Sequence, residues 1–150
     1  MQNVLVHAAN ADAREHPSAR KWIEAAFLEY RANRIRVDRA ARLYSRFYST
    51  RSASQASQNC RRVRVVEDWL RADNAVVVHP GENHAAILRS LLEPVGTAGN
   101  LTSDAHLAAL AIEHGAELVS FDRDFNRFER FAHCHSEGVG LSRYVQPRRN

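Results

Sequence analysis

Apolar residues recur along this chain with two periods, and the switches between them predict its elements. Val4–Ala8 (VLVHA) is a short continuous apolar run and predicts a buried opening strand. From His16 the period becomes helical. Pro17 suits a first-turn position, and Ala19, Trp22, Ile23, Ala26, Phe27 and Tyr30 follow at helical spacing. A second helix is predicted over Asn59–Ala72, with Val63, Val66, Trp69 and Leu70 inward. The β-branched run Asn74–His79 predicts a strand ended by Pro80-Gly81. Glu82–Glu93 predicts a third helix with Ile87, Leu88, Leu91 and Leu92 as its stripe, closed by Pro94 and followed by a Gly96–Gly99 loop. A helix over Ser103–His114, then Gly115, then a strand over Glu117–Phe121 complete the pattern.

Strands alternating with helices predict an α/β fold around a mainly parallel sheet. Sites in such sheets form at the carboxyl ends of the strands. Neither an internal repeat nor a linker interrupts the chain, so residues 1–150 are expected to form a single domain. Two segments depart from the plan. Residues 31–58 hold no clean period and finish in a Ser/Gln/Ala stretch, and the tail after Phe128 ends in an exposed-looking QPRRN.

Composition narrows the class. With 150 residues, 45% of them hydrophobic and 25% charged, the chain is long enough to bury a core and ordinary for a soluble globular protein. No run approaches a membrane span, and the N-terminus lacks a signal-peptide layout, so a cytoplasmic location is expected. Cys60 and Cys134 show no CxxC spacing and imply no structural disulfide. The net charge of +4 points toward an acidic partner such as nucleic acid. Ten arginines lie between Arg31 and Arg64 against the single acid Asp38, and Lys21 is the only lysine. Mutational bias in a GC-rich genome writes the same Arg-rich, Lys-poor text, and the two readings stand side by side.

Candidate chemistry is confined to the stretch Asn100–Phe128, NLTSDAHLAALAIEHGAELVSFDRDFNRF. Asp104 falls in the first turn of the late helix, where the helix dipole favours a negative charge by under about 1 kcal/mol. Asp122 and Asp124 stand at the carboxyl end of the following strand. Carboxylates gathered there suit a hard divalent cation, which takes oxygen ligands. The competing structural roles are dipole stabilisation for Asp104 and an Asx-turn for Asp122. In an extended chain Asp122 and Asp124 point apart, which favours Asp122 as the ligand. His133-Cys134-His135 lacks the spaced partners a structural zinc site needs, and His106 and His114 read as residues of an exposed helix face. No Walker loop, GxGxxG or GxSxG is present.

The segment TSDAHLAALAIEHGAELVSFDRDFNRF closely resembles the C-terminal half of PIN-domain ribonucleases of the VapC toxin type. NVLVHAANADAREHPSARKWIE resembles their first strand and helix, and VVEDWLRADNAVVVHPGENHAAILRSLLEPVGTAGNL their middle. The resemblance covers residues 3–30 and about 63–128. It implies a PIN-like three-layer α/β/α sandwich with a mainly parallel central sheet. It also implies a Mg²⁺- or Mn²⁺-dependent toxin-type endoribonuclease that hydrolyses RNA and pairs with a VapB-type antitoxin, often as a homodimer. By the same resemblance Asp104 and Asp122 match metal-binding catalytic aspartates; Asp124 is a further candidate ligand from the strand-end pair alone, not from the resemblance. Asn3 matches the asparagine of the opening aspartate–any–asparagine motif, and Ser103 supports the helix start.

The chain departs from that pattern in two places. The family's first catalytic aspartate falls at Met1, and the acid expected around residues 38–48 has only Asp38 to represent it. Residues 31–62 lose the resemblance and regain it near Val63, which motivates the hypothesis of a local frame change in the gene, extended to the tail after Phe131. An unbroken in-frame match across residues 31–62 in the gene and its close relatives would sink it. The competing functional expectation is a catalytically impaired PIN-like protein that only binds antitoxin or RNA. A third expectation is a decayed product that folds poorly.

Overall fold

The opening run folds as a helix rather than the strand its sequence predicts. Helix α1 spans Gln2–Ala9 and buries Val4, Leu5 and Ala8. Residues at i, i+1 and i+4 share one helical face, whereas a strand would send Val4 and Leu5 to opposite sides. Burial of both neighbours is what the helix achieves. The computed structural model describes residues 2–29, 35–37, 53–96, 99–128, 132–135 and 142–145. Its residues fall into two compact units, Met1–Val78 and His79–Asn150.

In the first unit α1 packs on α2 (His16–Glu29), which buries Ala19, Ile23 and Ala26 along one stripe, as the periodicity predicts. Helix α3 (Ala53–Leu70) starts earlier than the predicted Asn59 and buries Val63 and Val66, with Trp69 and Leu70 only half-buried. From α3, Arg62 Nη2 donates to Asn10 Oδ1 at 2.6 Å and to Asp12 Oδ2 at 3.1 Å, tying the turn after α1 to this helix. Strand β2 (Ala75–Val77) pairs in parallel with β1 (Ile35–Val37), Ile35 opposite Ala75.

The second unit opens with α4 (His84–Leu92), followed by a 3₁₀ turn, Glu93–Val95, that carries Pro94. A second 3₁₀ turn, Gly99–Leu101, leads into α5 (Thr102–Glu113). The α4 and α5 helices pack together, and α5 buries the small residues Ala105, Ala108, Ala109 and Ala111. Gly115 ends the helix with φ of 56°, a left-handed value that suits glycine. Its N–H donates to the Ile112 carbonyl and the Ala116 N–H to the Ala111 carbonyl, the paired bonds of a Schellman motif. The chain is thereby turned into β3 (Leu118–Ser120), buried at every position.

Strands β4 (Ala132–His135) and β5 (Ser142–Val145) lie in the tail, for which the sequence predicts no element. They join β3 in an antiparallel sheet of order β3–β5–β4. Among the described residues, parallel pairing is seen only between β1 and β2. The core of this unit joins Leu91, the α5 alanines, Leu118, Phe125, Phe128 and Tyr144. Phe125 stands edge-on to Phe128 at 6.2 Å and tilted against Tyr144 at 5.5 Å between ring centroids. Aromatic pairs in such arrangements add about 0.5–1.5 kcal/mol each beyond area burial.

Candidate metal centre

Two local turns bring the predicted carboxylates together. Asp104 lies in the first turn of α5, as its sequence position predicts, and is half-buried. Asp122 leaves β3 and caps a 3₁₀ turn, Arg123–Arg127, its Oδ1 accepting the Asp124 N–H at 3.0 Å. This is the Asx-turn geometry foreseen as a purely structural role. It does not compete with ligation. The turn removes the extended-strand constraint that would point Asp122 and Asp124 apart, and one ligand oxygen from each of Asp104, Asp122 and Asp124 lies within 4.8 Å of the others.

Three like charges at that separation repel one another, and a cation among them reverses the sign of the interaction. All the donors are carboxylate oxygens, the set that suits Mg²⁺ or Mn²⁺ and disfavours soft metals. The donor set therefore fits the ion that the family resemblance implies.

Asp122 is fixed by its main chain as well. Its N–H donates to Ser120 Oγ at 3.0 Å, and its carbonyl accepts the Tyr144 hydroxyl at 3.0 Å. Tyr144 is fully buried in β5, and that burial raises its hydroxyl pKa above the usual tyrosine value. Antiparallel pairing sets Tyr144 opposite Leu118, at the start of β3, and Ser142 opposite Ser120, so it is the tyrosine side chain that reaches to the Asp122 carbonyl beyond the strand's other end.

Of the other predicted site residues, Ser103 is exposed in the first turn of α5. Asn3 lies in α1 of the first unit. Met1 and Asp38, the positions matching the family's remaining acids, fall outside the described residues. The side chains of His133, Cys134 and His135 do so too, although their backbone forms β4.

A second polar group went unanticipated. His106 and His114 are not on a bare exposed face. His84 Nε2 and His106 Nδ1 share a hydrogen bond of 2.9 Å, and His114 Nε2 meets the His79 carbonyl at 3.0 Å. Glu113 Oε2 accepts the Gly81 N–H at 3.0 Å and lies 3.4 Å from His84 Nδ1. The Gly81 N–H, with His84 beside it, holds the Glu113 carboxyl below the usual glutamate range. The group straps the loop after β2 onto the C-terminal end of α5. The only sequence signal for it is the seven-residue spacing of His106 and Glu113, which sets them two turns apart on one helix face.

Among the described residues no helix is long and apolar enough to cross a membrane. Residues 2–131 match the family model described as the PIN domain. Ribonuclease VapC37 of Mycobacterium tuberculosis is 40% identical over 138 residues, covering 85% of this chain and 88% of the relative. VapC ribonuclease Mb2897 of Mycobacterium bovis is 36% identical over 142 residues, covering 89% of this chain and 90% of its own length. Ribonuclease VapC33 of Mycobacterium tuberculosis matches a shorter stretch, 42% identical over 66 residues and 44% of this chain. The bounds of the family match enclose residues 31–62, where the sequence resemblance is lost.

Proposed function

This chain belongs to the PIN domain family, and from that premise we propose that it is a toxin-type endoribonuclease of a toxin–antitoxin system, hydrolysing RNA phosphodiester bonds. The observation that carries the reading is the approach of Asp104, Asp122 and Asp124 to within 4.8 Å. In this reading Asp104 and Asp122 are the catalytic metal ligands, Asp124 adds a third carboxylate, and the cation is Mg²⁺ or Mn²⁺. A cation bound there supplies Lewis-acid stabilisation of the phosphate and activation of water. The residues themselves orient the oxygens: the first turn of α5 presents Asp104, and the Asx-turn fixes Asp122. Asn3 and Ser103 take supporting roles.

The same reading makes the whole chain one PIN-like domain, a three-layer α/β/α sandwich with a mainly parallel central sheet. Its partners are RNA and a VapB-type antitoxin, with a second copy of the chain as a homodimer, and its location is the cytoplasm. Names of the relatives support the ribonuclease assignment, and a family match whose bounds are residues 2 and 131 supports a single domain.

The test is Mg²⁺- and Mn²⁺-dependent cleavage of total RNA by purified protein, beside Asp104→Ala and an EDTA control. Cleavage that requires both the metal and Asp104, with Asp104→Ala reduced by at least about 10²-fold, is expected. A folded, soluble protein that leaves RNA intact under every metal condition overturns the reading. It would favour a PIN-like protein that only binds antitoxin or RNA.

A further inference from the structure

The tail after Phe128 carries no motif of the carboxylate site, yet it supplies one of the most deeply buried side chains of the second unit. Tyr144 has 0% exposure, and its hydroxyl spans 22 residues of sequence to reach the Asp122 carbonyl. Ser120, 1% exposed, accepts the Asp122 N–H from the other side. With the peptide groups on both sides of its Cα hydrogen-bonded, Asp122 has little freedom in φ and ψ, so its Cα–Cβ direction is set before any ligand arrives. The Asp124 N–H on Oδ1 then fixes the rotation of the carboxylate itself.

We infer that Tyr144 is a positioning residue for the metal centre: through the Asp122 carbonyl it holds the Asp122 carboxylate in the geometry that lets it meet Asp104 and Asp124. The inference rests on the metal-centre reading above and assigns a role to a strand that reading does not use. Outer partners of metal ligands act this way because an ill-oriented ligand must be reorganised at the expense of binding. Tyr144 touches neither cation nor substrate in this role, and its effect is confined to how well Asp122 is aimed.

The experiment is direct Mn²⁺ titration, read by the paramagnetic resonance signal of free Mn²⁺, on the full chain and on Tyr144→Phe, Ser120→Ala, Leu91→Ala and Asp104→Ala. Tyr144→Phe keeps the ring in the core and removes only the hydroxyl. It is expected to weaken Mn²⁺ binding about tenfold, the low end of the range for outer partners of metal ligands. Ser120→Ala should weaken binding in the same direction. Leu91→Ala opens the same core without touching Asp122, so it should lower Tm and leave Mn²⁺ affinity unchanged. Wild-type affinity retained in Tyr144→Phe overturns the positioning role and leaves the metal centre standing. So does a loss in Leu91→Ala equal to that in Tyr144→Phe, since that would be a general effect of core damage. Wild-type protein that binds no Mn²⁺, or binds it equally well without Asp104, overturns the metal centre and the positioning role together.

Discussion

Asp104 and Asp122 could be picked out of the sequence because each depends on a local rule: an acid in the first turn of a helix, and an acid where a buried strand ends. Glu113 and Tyr144 could not, because their partners are distant. Glu113 accepts from Gly81 across 32 residues and Tyr144 donates to Asp122 across 22, and no periodicity encodes such pairs. Asp124 lies between these cases: an Asx-turn at Asp122 is readable from the sequence, but not that Asp124 then comes close to Asp104. Glu113 makes a prediction of its own. Its folded pKa is depressed, first by the Gly81 N–H and also by His84, so the carboxylate form favours the folded state. That contribution is present above the ordinary glutamate range and is lost as pH falls from there through the depressed value. Glu113→Gln should therefore melt below wild type at neutral pH, with the gap closing on acidification. Thermal melts across an acidic pH series check this, and a gap that stays constant would remove the charge from the explanation.

Among the elements, the helices were the most legible and the sheet the least. The α2 and α5 stripes repeat often enough to fix a 3.6-residue period, whereas Val4–Ala8 is too short to separate a strand from a helix. Strands β4 and β5 were missed for a related reason. Each is four residues long, and what recruits them is an open edge of β3 together with an aromatic core that only the folded unit displays. Tyr144 completes that core against Phe125, itself 2% exposed, so the tail belongs to the architecture of this unit. Phe125→Ala removes the ring between Phe128 and Tyr144. It is expected to cost about 3–5 kcal/mol, the usual range for a buried phenylalanine. Chemical denaturation with unchanged m-value would measure it, and a loss under about 1 kcal/mol would mean that the tail strands pack too loosely to support the site.

At the scale of the whole molecule, the proposed metal site would link cation binding to folding. The unfolded chain has no reason to hold Asp104, Asp122 and Asp124 within 4.8 Å, so a cation that uses all three binds the folded state preferentially. Mutual repulsion of the three anions disfavours the metal-free fold, and the cation relieves that repulsion as it binds. Any ligand of the native state alone adds RT ln(1 + [L]/Kd), about 2.7 kcal/mol at a hundredfold excess over Kd. A gain of that size raises Tm by roughly 5–10 °C in a chain of this length. Mn²⁺ should therefore raise Tm by several degrees, EDTA should reverse the rise, and Asp104→Ala should abolish it. A Mn²⁺-dependent rise that survives Asp104→Ala would place the stabilising ion elsewhere. This measurement needs no RNA and no knowledge of the cleavage site, so it separates the binding of the cation from the chemistry proposed for it.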